Sequence, residues 1–316
     1  MPPKSPIKIG VIGLGRAGYN IHVRRLRGDD RFQITACTDF IPARMKEMKD
    51  EFGCETFKDV DAMLKGADAE VICVASFSDT HASLSKAVMK SGRAAICEKP
   101  IADSVADAKS MLATAAKTGQ TLLVHHNYRF FPETRYLMEL VNSGRIGEVF
   151  EIRMRALGFA RRYDWQCMRS HAGGVLNNTC PHFIDIGLQL LRGANGRVYD
   201  MEVSSVCKFP EPKWTVLGSH GTLVSDGTTG KLAFFDPKKA GKYKLLTKPT
   251  PDRSYVTDEK IPWQEIEEPT KGKSIGDFYD NVYAVLRQGK PPVVEPEEAL
   301  EVVRVTQACK KMSGYY

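Results

Sequence analysis

The apolar run Ile7-Lys8-Ile9-Gly10-Val11-Ile12 leads straight into Gly13-Leu14-Gly15-Arg16-Ala17-Gly18, and an acid, Asp39, closes the next apolar run 21 residues beyond Gly18. The first run predicts a buried strand, and G-x-G-x-x-G directly after it predicts a tight turn that opens a helix. Gly13 permits the turn, Gly15 leaves the backbone bare for a ligand to approach, and Gly18 lets the helix pack closely on the strand. The helix start, with Arg16 and Ala17 between the glycines, offers free N–H groups and the positive end of its dipole, which suit phosphates. Asp39 is placed to accept hydrogen bonds from both hydroxyls of a ribose, so the pattern as a whole predicts a dinucleotide site. An acid disfavours a 2′-phosphate, which makes NAD the expected cofactor ahead of NADP; Arg44 nearby is the one opposing feature.

The surrounding pattern extends this reading. Short, almost continuously apolar runs at Ile7–Ile12, Phe32–Thr38, Val71–Ala75, Ala94–Cys97 and Thr121–His125 alternate with helical stretches. That alternation predicts parallel strands buried on both faces, joined by crossover helices. One helix is expected over Ser104–Lys117, with Ser104 and Asp107 spaced as a capping box and Gly119 past its end.

From about residue 148 the period changes to two. Phe150, Ile152, Met154 and Ala156 alternate with Glu151, Arg153 and Arg155, and a second alternating run spans Tyr199–Phe209, with Tyr199, Met201, Val203, Cys207 and Phe209 on one face. Runs at Trp214–Leu217, Gly221–Val224 and Leu232–Phe235 follow, then a polar stretch over Pro237–Pro269 that predicts long loops or edge strands. Helices are expected near Ser274–Arg287 and Pro296–Met312. The fold class is therefore α/β: a Rossmann dinucleotide-binding domain over residues 1–124, then an α/β domain over 125–316 built on a mostly antiparallel open sheet.

Composition excludes several classes. The net charge of +7 is scattered rather than gathered in a run, and no nucleic-acid motif accompanies it, so it points to an anionic small molecule. No apolar run approaches the roughly 20 residues of a membrane helix, and Met1–Pro6 shows no apolar segment with a cleavage site, so a cytoplasmic protein is expected. The 8 cysteines form no C-x-x-C pair, and several lie in apolar runs; reduced, buried thiols are expected, with no metal site.

Three further segments carry a resemblance. Glu98-Lys99-Pro100 follows the strand Ala94–Cys97, Asn127-Tyr128-Arg129-Phe130 precedes Gly144-Arg145-Ile146-Gly147-Glu148, and Gly173-Gly174-Val175-Leu176-Asn177-Asn178-Thr179-Cys180-Pro181-His182-Phe183-Ile184-Asp185 comes later. With the glycine motif, and in this order over nearly the whole chain, they closely resemble the Gfo/Idh/MocA family of sugar and polyol oxidoreductases. The resemblance implies a nicotinamide at the C-terminal edge of the parallel strands and substrate between the domains. It also implies a homodimer or homotetramer formed through the open face of the second sheet. Lys99 and His182 would face the reacting carbon as the catalytic pair. Ser76, Glu98 and Lys99 would complete a cofactor set with Gly13, Gly15, Arg16, Ala17, Gly18 and Asp39. Many members carry aspartate where this chain has Asn178, and asparagine holds a hydroxyl but relays no proton, which leaves His182 as the acid/base.

The residue chemistry agrees with those roles. Oxidising an alcohol needs a proton acceptor while hydride leaves the carbon, and a histidine suits that task. A lysine at a strand C-terminus lies where ligands of open parallel sheets bind, and its ammonium stabilises developing negative charge on oxygen. If the stretch is helical, Asn178 and His182, four residues apart, share a face. The expected substrate set is Lys99, Asn127, Tyr128, Trp165, Asn178 and His182, with Arg161, Arg162, Tyr163 and Arg169 as further candidates; Asp185 is a candidate to orient the His182 ring. The expected function is an NAD-dependent dehydrogenase acting on a hydroxyl-bearing carbon of a sugar, inositol or sugar acid. Two alternatives stand beside it: a redox-neutral, NAD-dependent glycoside-cleaving enzyme, and a non-catalytic NAD-binding regulator.

Overall fold

A computed structural model describes residues 5–241, 246–255 and 260–314; Met1–Lys4, read above for a signal segment, and parts of 237–269 lie outside the described residues. Five strands form at the expected places: β1 (Ile7–Ile12), β2 (Phe32–Thr38), β4 (Val71–Val74), β5 (Ala94–Cys97) and β6 (Leu122–Val124). A two-residue strand, β3 (Glu55–Thr56), was not anticipated, being too short to leave a periodic pattern. These strands pair in parallel in the order β3-β2-β1-β4-β5-β6. The order reverses between β1 and β4, and that switch point is where open parallel sheets bind ligands. Residues of β4 and β5 are buried throughout, as expected for strands covered on both faces. The helix Val105–Thr118 is capped by the Ser104 side chain, which accepts from Asp107 N–H, and ends at Gly119 in the left-handed region.

The second sheet has the order β12-β11-β10-β9-β7-β8. Its strands are β7 (Val149–Leu157), β8 (Val198–Ser204), β9 (Trp214–Gly218), β10 (Gly221–Ser225), β11 (Thr229–Phe234) and β12 (Gln264–Pro269). All neighbours are antiparallel except β7 and β8. Two expectations fail here. Phe150 was expected to share the covered face with Ile152 and Met154, but it is 51% exposed while they are fully buried. A register shift between Val149 and Glu151 inserts a bulge, which breaks the period of two at that point. Cys207 and Phe209 were expected on the face of Tyr199, Met201 and Val203, but β8 ends at Ser204 and Phe209 is 87% exposed.

The chain divides into two compact units. One comprises residues up to Phe130, Arg161–Leu188 and Ile275 onward, and carries the parallel sheet; the other comprises Phe131–Ala160 and Gln189–Ser274, and carries the second sheet. In the first unit the later segments are tied to the Rossmann core by Arg129. Its guanidinium is 4% exposed and donates from Nε to Asp185 Oδ2 (2.7 Å), from Nη2 to Asp185 Oδ1 (2.5 Å), and from Nη1 to Val293 O (3.1 Å) and the Glu298 carboxylate. Asp185 is thus committed to Arg129 and does not orient the His182 ring. Arg129→Ala would strand two carboxylates in the interior, a loss of about 3–5 kcal/mol that urea unfolding would register.

Candidate functional site

The three glycines differ in what surrounds them. Gly13 has φ +87°, and a Cβ there would lie 2.7 Å from Ala75 O. At Gly18 a Cβ would lie 1.8 Å from Gly13 O, so only glycine permits the helix to approach. At Gly15 the nearest atom to a built Cβ is Arg44 Nη1, 3.9 Å away, so this Cα faces open space at the start of the helix. That bare cradle, beside free helix-terminal N–H groups, fits a pyrophosphate. The first helix is wound as a π-helix over Arg16–Val23, with Arg24 N–H reaching Tyr19 O. π-turns are rare and concentrate at functional sites. Arg16 is exposed at its first position, and His22 is fully buried one residue from its end.

Asp39 sits beneath the turn with its side chain 6% exposed. Oδ2 accepts from Leu14 N–H (2.6 Å) and Oδ1 from Ile41 N–H (2.8 Å), and Arg44 Nη1 stands 3.5 Å from both oxygens. A carboxylate has about four lone-pair sites, so both oxygens keep capacity for ribose hydroxyls. Ser76 pairs its hydroxyl with Thr80 Oγ1 (2.7 Å). His81, which sequence reasoning missed, bridges the loops after β4 and β5: Nδ1 lies 2.7 Å from Pro100 O and Nε2 3.2 Å from Ser76 O.

The Glu98-Lys99-Pro100 turn leaves β5, with a cis bond between Lys99 and Pro100. Lys99 Nζ donates to Asn178 O (2.6 Å), so Asn178 meets it through its backbone and not through its side chain. Asn178 ends the short helix Val175–Asn178, Thr179 follows at φ −107°, and a new helix runs over Cys180–Leu191. The helical stretch expected to carry both Asn178 and His182 is thus two helices that meet at Thr179. His182 stacks on Tyr128, with ring centroids 4.0 Å apart and 10° between planes, and its buried Nδ1 makes no hydrogen bond among the described residues. Burial, and then the nearby Lys99 charge, hold His182 well below its ordinary pKa, so the ring is neutral near pH 7. Burial also lowers the Lys99 pKa; Glu98 opposes that shift, while Arg16 and Arg162 add to it. Asn127 begins the turn ahead of Tyr128, and its buried Oδ1 likewise accepts no hydrogen bond among the described residues.

Trp165 packs edge-on against Phe77 (4.8 Å), whose ring stacks on His171 (4.6 Å) and lies parallel to Phe40 at 6.2 Å. Phe40, next to Asp39, is 87% exposed, and His171 Nδ1 is 3.2 Å from Asp79 Oδ1. This aromatic group left no signal in the sequence because its members are remote and follow no period. Arg162 pairs with Asp164, and Tyr163 is 97% exposed. All eight cysteines are free, five of them buried. Among the described residues, one group has the composition and closeness of a metal site: His22, Glu98 and His125. No helix is long and apolar enough to cross a membrane among the described residues.

Comparison with known proteins places this arrangement. An oxidoreductase family model, the NAD-binding Rossmann fold of Gfo/Idh/MocA, matches residues 7–126; the family's C-terminal domain models match 134–194 and 187–313. The chain is 31% identical over 240 residues to the uncharacterized oxidoreductase YrbE of Bacillus subtilis, covering 75% of this chain and 68% of that one. It is 31% identical over 143 residues to the inositol 2-dehydrogenase of Rhizobium meliloti, covering 45% and 43%. The chain spans half or less of the length of the first curated relatives it matches. An NAD-binding protein from Listeria innocua has the same fold, with a TM-score of 0.81 at 20% identity over 96% of this chain and 93% of the other. The chain belongs to the Gfo/Idh/MocA oxidoreductase family, and its first unit carries an NAD(P)-binding Rossmann domain.

The glycine geometry separates two substitutions. Gly18→Ala collides with backbone and should lower the melting temperature sharply. Gly15→Ala meets open space, so it should melt near the wild type while losing dinucleotide affinity at least tenfold by calorimetry.

Proposed function

We propose that the protein is an NAD-dependent dehydrogenase that moves a hydride between the nicotinamide and a hydroxyl-bearing carbon of a sugar, inositol or sugar acid. The observation that carries this reading is the placement of Lys99. Its ammonium sits at the C-terminal end of β5 and is held to Asn178 O, in the same unit as the neutral, buried His182. The open Gly15 cradle and Asp39 would hold the pyrophosphate and the adenosine ribose, and the nicotinamide supplies or accepts the hydride when bound.

The chain's own residues divide the remaining work. The neutral His182 imidazole takes the hydroxyl proton as general base. Lys99 donates a hydrogen bond to the reacting oxygen and stabilises the charge that develops on it. Tyr128, stacked on the His182 ring, fixes its plane. Asn127 Oδ1, which accepts no hydrogen bond among the described residues, is the acceptor offered to a substrate hydroxyl. Asn178 accepts from Lys99 through its backbone carbonyl, and its side-chain amide can hold a substrate hydroxyl but takes no acid/base part. The Asp39 carboxylate favours NAD: a 2′-phosphate would meet an anion whose side chain is almost wholly enclosed.

Reduced-cofactor absorbance across a panel of inositols, sugars and sugar acids tests this proposal. Turnover with NAD⁺ is expected, with Lys99→Ala and His182→Ala each losing at least about a hundredfold in kcat. A clear preference for NADP⁺ would overturn the Asp39 argument. Dinucleotide binding with no turnover anywhere on the panel would overturn the dehydrogenase reading. The pH profile carries a second check. His182 must be unprotonated and its pKa is depressed, so the acid limb of kcat/KM for oxidation should fall below pH 6.5. Lys99 must be protonated and its pKa is also depressed, so the alkaline limb should fall below pH 10.5.

A further inference from the structure

Glu98 was expected among the cofactor contacts, but its carboxylate faces the interior. The residue is 5% exposed. Oε1 lies 2.9 Å from His22 Nε2 and 2.8 Å from His125 Nδ1, and Oε2 accepts from the backbone N–H of Lys99 at 3.1 Å. His22 Nδ1 is 2.8 Å from the hydroxyl of Tyr279. Both imidazoles are buried, and their ring centroids are 4.5 Å apart. One oxygen that receives two ring nitrogens requires both to carry hydrogen. Both ring nitrogens therefore donate to Oε1, and His22 Nδ1 meets the Tyr279 hydroxyl on the other side of its ring. These three side chains also have the composition of a cation site. Their N···O separations of 2.8–2.9 Å are those of hydrogen bonds, which accounts for the cluster without a metal.

We propose that Glu98 is a positioning residue: a buried carboxylate, clamped by His22, His125 and the Lys99 N–H, that anchors the end of β5 and keeps the Lys99 side chain charged. The purpose of that charge rests on the dehydrogenase reading above; its existence does not. Burial alone drives an ammonium to its neutral form, and a fixed anion one residue away opposes this. The groups facing Glu98 are His22 from the π-helix, His125 after β6, and Cys73 of β4 and Tyr279 through the His22 ring. Those facing Lys99 are Glu98, Arg16, Arg162, His81, His126 and the neutral His182. Among the described residues Glu98 is the one anion in this group, and it opposes the loss of the Lys99 charge to burial. Burial would raise the Glu98 pKa, but His125 and then His22 overcome it and hold the carboxyl well below its ordinary range. His22 comes to Glu98 from the last turn of the π-helix Arg16–Val23.

The test reads Lys99 directly, in protein without cofactor, from the lysine Cε carbon signal assigned with Lys99→Arg. In the wild type the amine should titrate below its ordinary range and still be protonated at neutral pH; a midpoint below pH 7 would overturn the proposal, whether or not any variant folds. Glu98→Gln should move that midpoint down by about one pH unit or more, and Glu98→Asp, which keeps the charge, should leave it near the wild type. Equal midpoints in Glu98→Gln and wild type would also overturn the proposal, as would stoichiometric metal that leaves the purified protein when His22 is replaced by Gln. A protein that passes these titrations yet turns over no polyol would refute the dehydrogenase reading while leaving the charge assignment intact.

Discussion

The approach of the first helix to the first strand governs this molecule. A Cβ at Gly18 would lie 1.8 Å from Gly13 O, so the helix start is drawn against the strand end as tightly as backbone allows. From that contact follow the bare Cα of Gly15, the Asp39 carboxylate that receives Leu14 N–H, and the inward His22 that reaches Glu98. The dinucleotide cradle and the interior hydrogen-bond cluster are thus two ends of one short π-helix.

That cluster puts unusual polar content beneath the end of β5. Four titratable side chains from separate parts of the chain, His22, Glu98, His125 and Tyr279, connect within hydrogen-bond distance, and the backbone N–H of Lys99 joins them. Buried polar groups are costly unless satisfied, and here the carboxylate is. By contrast, His182 Nδ1 and Asn127 Oδ1 are buried without hydrogen bonds among the described residues. In the reading proposed above, the satisfied carboxylate supports the site and these two atoms are the candidates to meet a ligand.

The first unit also shows how a chain can return to a domain it has left. Arg129, Asp185 and Glu298 come from three separate stretches of sequence, and their buried ion pairs join the turn after β6 to the helices Cys180–Leu191 and Pro296–Ser313. This places the segment with His182 in the same compact unit as Lys99, although 82 residues separate them in the chain and the second unit begins between them.

Local chemistry was legible without a structure. Continuous apolar runs announced the parallel strands, the glycine spacing announced the turn and its acid, and Ser104 with Gly119 marked a helix at both ends, because each of these depends on neighbours within a few residues. What depended on distant neighbours was not legible. The bulge that exposes Phe150 is a matter of pairing between β7 and β9, and the Asn178 carbonyl that accepts from Lys99 Nζ lies 79 positions away in sequence. The commitment of Asp185 to Arg129, the aromatic group around Phe77, and the inward turn of Glu98 onto two histidines all join residues tens of positions apart. Periodicity and spacing report which face a residue occupies; only the tertiary structure decides which partner it meets there, because hydrogen bonds and ion pairs are satisfied by proximity in space and leave no period in the chain.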